Sequence, residues 1–102
     1  MSLQCQYATS MEQYGAPDTV HPEAYHKIVQ ATPDYVAGIT HVRVEVFYNV
    51  AVKELYYATE PSERTVRPLV IPRYKLDGIF ETRAEQYTAL KLLPEFTGAI
   101  DV

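Results

Sequence analysis

The sequence predicts a single α+β domain over residues 1–102, with two N-terminal helices, a three-stranded, mainly antiparallel sheet and a C-terminal helix. Apolar residues recur at helical spacing near both ends of the chain. From Ile39 onward they instead alternate with polar residues, which is the period of a strand. The chain has 102 residues, 47% of them hydrophobic, which matches one globular domain.

The first helix is predicted over residues 3–14, within a segment 1–16 that we expect at the periphery of the domain. Gly15 and Pro17 follow this segment. Both are expected where a helix ends, because glycine adopts left-handed backbone angles and proline cannot continue a helix. The apolar seam that indicates the helix consists of Leu3, Tyr7, Met11 and Tyr14.

The stretch HPEAYH, residues 21–26, is typical of the start of a second helix. Pro22 suits the first helical turn, where its missing N–H would have no partner in any case. When the residues are placed about 100° apart around a helix, polar and apolar side chains separate into two arcs. The polar arc holds Glu23, His26, Lys27 and Gln30, and the apolar arc holds Ala24, Tyr25, Ile28, Val29 and Ala31.

The first strand is predicted from Ile39 to Tyr48, because its residues alternate between apolar and polar with a period of two. One face of this strand should be buried and the other should be more polar. The alternating sets are Val42, Val44, Val46 and Tyr48 against His41, Arg43, Glu45 and Phe47.

The segment after Asn49 has two interpretations. Alternation continues, and the content of β-branched and tyrosine residues favours a second strand over residues 50–57. The alternative is a helix over residues 50–60, which Asn49 would cap and Pro61 would end. The strand is the preferred prediction.

The third strand is predicted over residues 65–71. Pro68 and Pro72 cannot donate hydrogen bonds to a neighbouring strand, so we expect this strand at an edge of the sheet. Asp77 and Gly78 then form a turn.

The C-terminal helix is predicted after Thr82. The segment TRAE, residues 82–85, is a capping box in which Thr82 and Glu85 satisfy backbone N–H groups at the start of a helix. Pro94 should end the helix, and its apolar seam consists of Tyr87, Leu90 and Leu93.

The histidines of HPEAYH raise the question of a metal site. Glu23 and His26 would share one helical face and could ligate one ion together, whereas His21 would lie roughly 140° away. Two ligands do not fill a zinc shell, so His41 from the first strand would have to be a third. We therefore favour a helix cap and a solvated polar face, with no metal or other cofactor, over a metal-dependent enzyme.

Other catalytic motifs are not found in the sequence. It contains no nucleophile elbow, phosphate-binding glycine loop, Cys-x-x-Cys or His-Glu-x-x-His. Cys5, the single cysteine, has no histidine near it in sequence and fits a reducing, cytoplasmic environment. No apolar run is long enough to span a membrane. The sequence therefore names no catalytic residue and favours a protein that is not an enzyme.

The charge distribution is the most informative feature. Residues 64–76, RTVRPLVIPRYKL, carry +4 without an acid, while the whole chain carries −4, so the remainder carries −8. One interpretation is protection, because charges and prolines on an edge strand discourage aggregation. The other is a binding strip for an anion, because arginine and lysine bind carboxylates and phosphates. The predicted binding residues are Arg64, Arg67, Arg73, Tyr74 and Lys75.

We therefore expect a non-catalytic interaction module, homo-oligomeric, that holds an anionic partner on a basic edge strand. The alternative is a small-ligand or anion-binding protein, which could be an enzyme. An acidic protein or an anionic ligand would suit the strip, whereas the net charge of −4 argues against general nucleic-acid binding. A flat basic patch would favour the module, and a concave pocket lined by tyrosines would favour the ligand-binding protein.

Overall fold

A computed structural model describes residues 2–9 and 12–102 and shows a mostly-sheet fold. Seven strands and two α-helices lie within the described residues. The strands are β1 (Leu3–Gln4), β2 (Tyr7–Thr9), β3 (Thr19–His21), β4 (Tyr25–Asp34), β5 (Ile39–Phe47), β6 (Arg73–Asp77) and β7 (Ile100–Asp101). The helices are α1 (Val50–Ala58) and α2 (Arg83–Lys91), and 3-10 turns span Glu12–Tyr14, Pro61–Glu63 and Pro94–Phe96.

The main sheet has five strands in the order β6-β5-β4-β1-β7, and each neighbouring pair is antiparallel. Strands β2 and β3 pair separately as a two-stranded sheet. The predicted architecture of two N-terminal helices and a three-stranded sheet is therefore wrong. The strand that begins at Ile39 and the helix that Thr82 caps are confirmed.

The first predicted helix is replaced by two short strands. Leu3 and Gln4 pair with both β4 and β7, and residues 7–9 pair with β3. A spacing of four residues, as between Leu3 and Tyr7, places side chains on a common face of a helix and also of a strand. The spacing therefore did not separate the two structures. Met11, part of the predicted seam, lies outside the described residues.

The second predicted helix is also wrong, because this segment forms the long strand β4. The register with β5 shifts between Ile28 and Gln30, so Val29 is an extra residue, a β-bulge. Tyr25 is buried on one face of the strand and His26 on the other. Apolar residues on both faces, together with the bulge, remove a simple period of two and leave a pattern that imitates a helix.

Helix α1 is the less favoured of the two interpretations of residues 50–60, and the predicted strand there is wrong. Asn49 caps the helix, because its side-chain oxygen accepts a hydrogen bond from the Val52 N–H at 2.9 Å. The cap satisfies a backbone donor that would otherwise have no partner at the start of the helix. No residue of α1 is buried.

The predicted strand over residues 65–71 is displaced towards the C-terminus. In that segment only Val70 forms a β-bridge, with Val46, and the regular strand β6 starts after Pro72. Proline lacks the N–H that the ladder needs, so continuous pairing begins where the prolines end. Strand β6 lies at the edge of the sheet.

One face of the five-stranded sheet, which we term the inner face, packs against α2 and the turn that contains Phe96. The opposite, outer face carries α1 at one end, and its exposed side chains on β5 and β6 are mainly polar. No helix among residues 2–9 and 12–102 is long and apolar enough to cross a membrane. The inner core includes Leu3, Ile28, Val42, Val44, Val46, Leu76, Tyr87, Leu90 and Phe96.

Candidate anion-binding face

Four basic side chains lie together on the outer face of the sheet. His41 and Arg43 come from β5, and Arg73 and Lys75 come from β6. Arg43 is directly opposite Arg73, and His41 is directly opposite Lys75. All four side chains are exposed. We term these four residues the basic face.

The hydrogen-bond pattern brings the opposed side chains close together. The Val44 N–H donates to the Pro72 carbonyl at 2.9 Å, so these two residues form a hydrogen-bonded pair. Such pairs alternate along antiparallel strands with non-hydrogen-bonded pairs, whose Cα atoms are only about 4.5 Å apart. Arg43 and Arg73 form one of these narrow pairs. Like charges directly opposite each other in a sheet are destabilising.

No acidic side chain of the described residues forms an ion pair with the basic face. Within the described residues, the single ion pair joins Lys91 to Asp101 at 3.2 Å, away from this face. Glu45, which follows Arg43 on the same face, accepts a hydrogen bond from the hydroxyl of Tyr57. The carboxylate of Asp34 accepts hydrogen bonds from two backbone N–H groups of its own hairpin turn, each at 3.1 Å. The cationic groups are therefore left available to an external anion.

A shallow depression of about 290 Å³ lies over this part of the sheet. Arginine presents five N–H donors in a planar fork, which matches the oxygens of a carboxylate or phosphate. A glutamine and a threonine next to the arginines add neutral hydrogen-bonding groups. The depression has no tyrosine in its lining, which consists of Gln30, Thr32, His41, Val42, Arg43 and Arg73.

Of the five predicted binding residues, the structure brings Arg73 and Lys75 together. Tyr74, predicted as a stacking surface between them, points to the inner face, where its ring centroid lies 5.4 Å from that of Phe96. Burial raises the pKa of Tyr74 to about 12. Tyr74 is therefore on the opposite side of the sheet from the side chains of Arg73 and Lys75, and it does not form the expected stacking surface between them.

The other two predicted residues lie outside the basic face. Arg64 stacks on Tyr56, with its guanidinium carbon 4.0 Å from the ring centroid, and its Nε–H donates to the Thr59 carbonyl at 3.1 Å. Arg67 is exposed on the connection before β6. The expected common parity of Arg67 with Arg73 required a continuous strand, and the structure has none at that position.

Sequence reasoning did not assign His41 and Arg43 to the binding site. A signal for them was present, because the alternation in the predicted strand placed both on its polar face. The pairing of β5 with β6 and its register were needed to show that this polar face and the basic strip are the same surface.

A cluster of tyrosines under α1 borders the basic face. Two further lysines lie over tyrosine rings of this cluster. The ammonium group of Lys27 is 3.7 Å from the Tyr57 ring centroid, and that of Lys53 is 5.0 Å from the Tyr25 ring centroid. Such cation–π contacts are favourable but modest at exposed positions. Burial and the hydrogen bond to Glu45 raise the pKa of Tyr57. These lysines therefore help to hold α1 on the sheet.

His26 is a core residue and does not lie on a solvated helical face as predicted. It is 2% exposed, and its Nε2–H donates to the Cys5 carbonyl at 3.0 Å, whereas Nδ1 has no partner among the described residues. Its ring makes edge contacts with Phe96 and Tyr7, at centroid distances of 5.0 and 6.1 Å. Burial lowers the pKa of His26, so the ring is neutral at pH 7.

The three ligands of the hypothetical metal site do not converge. His26 lies on the inner face, His41 on the outer face, and Glu23 is exposed before β4. His21 is in β3, where its Nε2 is 3.0 Å from the hydroxyl of Thr9. In the part of the chain that the structure describes, no group of three metal-ligating side chains could hold an ion.

Cys5 is buried beside His26, and its thiol is not placed for nucleophilic chemistry. Its thiol points towards the carbonyl oxygens of Glu95 and Thr97, at 3.7 and 3.9 Å. Burial raises the pKa of the thiol, which lowers the fraction of the reactive thiolate.

No family model, no curated protein and no solved structure matches this chain.

Proposed function

We propose that the protein is a non-catalytic interaction module that holds an anionic partner on the basic face. The observation that supports this most directly is the narrow Arg43–Arg73 pair beside the His41–Lys75 pair. Like charges at such close range raise the energy of the free protein. An anion between them removes the repulsion and gains charge-assisted hydrogen bonds.

The test is a titration of the protein with inorganic triphosphate and with poly-glutamate, followed by nuclear magnetic resonance. Amide signals of β5 and β6 should shift, and affinity should fall as salt rises. Replacing Arg43 and Arg73 with glutamine should weaken binding by roughly tenfold or more, because hydrogen bonds to charged groups contribute strongly. The matched control replaces Lys53 and Lys91, which removes two positive charges elsewhere.

Equal weakening in the two double variants would contradict a defined site, because it would show general attraction to positive charge. If neither anion binds the native protein, the binding function is wrong. The prolines and basic residues of this edge then serve only to discourage aggregation.

The second candidate is a protein that binds a small anion. The depression lined by Arg43, Arg73, Gln30 and Thr32 favours it, because these side chains surround a volume suited to a phosphate or a small carboxylate. Phosphate or citrate should then bind as tightly as a polymer of the same groups. Much tighter binding of the polymer would favour the interaction module.

Self-association and a cytoplasmic location belong to the same proposal. Among the described residues the sheet ends in two edge strands, β6 and β7, and an unpaired edge invites pairing with another chain. Sedimentation at micromolar concentration should therefore show a species larger than the 11.6 kDa chain. A single species at the chain mass would contradict this. The location is proposed because the single cysteine is a free thiol.

A further inference from the structure

The free edge of β6 has backbone groups available for another strand. The carbonyls of Val70 and Pro72 accept hydrogen bonds from N–H groups of β5, at 3.0 and 2.9 Å. The Gly78 N–H donates a hydrogen bond to the Gly38 carbonyl at 2.9 Å. These even-numbered residues therefore direct their backbone groups towards β5. Because the direction alternates along a strand, the N–H and C=O groups of the intervening residues point away from the sheet. The intervening residues are Ile71, Arg73, Lys75 and Asp77.

The side chains of these same residues lie on the outer face. Ile71 is 42% exposed, and Arg73, Lys75 and Asp77 are also exposed. Read from residue 77 back to residue 71, the edge presents one acid, two bases and one apolar side chain, spaced two residues apart. An antiparallel strand placed beside β6 would meet these side chains in that order.

We propose that β6 accepts an extended acidic segment of a partner protein as an antiparallel sixth strand of the sheet. The inference rests on the proposed function and identifies the anionic partner as a peptide. Acidic side chains two residues apart face Lys75 and Arg73, with Arg43 immediately behind. The residue two before the first acid is basic and faces Asp77, and the residue two after the second is apolar and faces Ile71. Main-chain hydrogen bonds supply affinity, and the alternate side chains supply specificity.

A second copy of this chain complements the edge less well. In an antiparallel pairing of two β6 strands, Arg73 can face Asp77 of the second copy only when Lys75 faces Lys75. Moving the register so that Lys75 faces Asp77 leaves Arg73 opposite Ile79. Each register leaves either Lys75 or Arg73 without an acid opposite it, whereas the two acids of the peptide face both. Charge complementarity therefore favours the peptide.

The probe is the peptide acetyl-Lys-Thr-Glu-Thr-Glu-Thr-Val-amide, which carries the proposed pattern. Two methylated versions have equal charge. One is N-methylated at both glutamates, whose N–H groups would face β6, and the other at the first two threonines, whose N–H groups would face solvent. Methylation of the glutamates should weaken binding by roughly tenfold relative to methylation of the threonines, because only the former removes inter-strand hydrogen bonds.

Amide hydrogen exchange gives an independent readout on the native protein. The N–H groups of Arg73, Lys75 and Asp77 should exchange fast in the free protein and slowly with the peptide bound. Those of Tyr74 and Leu76, which face β5, should be protected in both states. Equal exchange at residues 73, 75 and 77 with and without saturating peptide would overturn the proposal.

A pair of variants at one position separates backbone from charge. Lys75→Pro removes the outward N–H, which an edge strand tolerates, and Lys75→Gln removes the charge alone. Lys75→Pro should bind the peptide more weakly than Lys75→Gln, while both should bind inorganic triphosphate equally. If Lys75→Pro does not fold, the methylated peptides on the native protein still decide the question.

The outcomes distinguish this inference from the function on which it rests. If triphosphate binds through Arg43 and Arg73 but the position of methylation makes no difference, the sixth strand is wrong and the basic face stands. If neither triphosphate nor peptide binds, both fail. Tighter binding of oligothymidylate than of a peptide of equal charge overturns the peptide in favour of nucleic acid. A native dimer that dissociates in Lys75→Pro but not in Lys75→Gln would overturn the peptide proposal, because it would show that a second copy of this chain occupies the β6 edge.

Discussion

The inner and outer faces of the sheet are built from alternate residues of the same strands, yet they differ in nearly every physical respect. On β5 the inner residues Val42, Val44 and Val46 are at most 1% exposed, whereas the neighbouring His41 and Arg43 are exposed. On β6 the buried Leu76 lies next to the exposed Lys75. The inner face supplies most of the apolar burial that stabilises the fold, and the outer face places Arg43 directly opposite Arg73.

The two helices follow the same division. α2 packs on the inner face and buries Tyr87 and Leu90, and the Tyr87 hydroxyl accepts a hydrogen bond from the Ile28 N–H at 2.8 Å. α1 packs on the outer face through partly exposed tyrosines. Along β5 and β6 the buried core and the basic face therefore lie on opposite sides of one sheet, so substitutions there can separate stability from the proposed binding.

The largest effect is expected from neighbouring substitutions on β6. Leu76→Ala should lower the free energy of unfolding by about 2–5 kcal/mol, because it leaves a cavity in the core. Lys75→Ala should change it by less than about 0.5 kcal/mol, as is usual for an exposed side chain. Urea denaturation measures both. Similar losses at the two positions would break the distinction between the faces.

The second prediction concerns pH and the inner face. Burial lowers the pKa of His26 in the folded protein below its ordinary value of 6.5, which the unfolded chain retains. Between these two pKa values the unfolded state binds more protons. The free energy of unfolding should therefore fall as pH drops below about 6.5, by at most about 1.4 kcal/mol per pH unit.

Urea denaturation of His26→Leu and His41→Gln at pH 7 and pH 5 tests this prediction. His26→Leu should lose much of the pH dependence, and His41→Gln, which replaces an exposed histidine on the outer face, is the matched control. An unchanged dependence in His26→Leu would assign the effect to other groups.

The third prediction compares the helix caps, each of which should contribute about 1 kcal/mol. Asn49→Ala should open α1 locally and leave global stability nearly unchanged, because no residue of α1 is buried. Thr82→Ala should lower global stability, because the Thr82 hydroxyl caps a helix that belongs to the core. Amide exchange of each helix, combined with thermal unfolding, separates the two results. Global destabilisation by Asn49→Ala would show that α1 is part of the core.

The smallest effect should have the opposite sign. Arg43→Gln should raise the free energy of unfolding at low salt by about 0.2–1 kcal/mol, because it removes repulsion from Arg73. The gain should vanish at high salt, which screens exposed charges. Lys91→Gln is the matched control and should not stabilise, because Lys91 is paired with Asp101. A loss of stability in Arg43→Gln at low salt would show that the pair is not repulsive.

The correct predictions were those whose signals are local. The alternation of β5 and the capping box of α2 lie within a few consecutive residues, and both elements formed as predicted. The cap at Asn49 was equally local, and the error there came from giving propensity more weight than the cap. Arg73 and Lys75 were correctly placed on one side of a strand, because a period of two needs no knowledge of neighbouring strands.

The N-terminal third and the composition of the candidate site depended on contacts between distant segments. Strand β1 exists because Leu3 and Gln4 pair with β4 and β7, and β4 is a strand because it pairs with β5. The helix periodicity of these segments was a local preference that tertiary pairing overrode. The same pairing set Arg43 opposite Arg73. A helix closes its hydrogen bonds within its own segment, whereas a strand closes them on residues far along the chain, so only the tertiary structure decided which bases face each other.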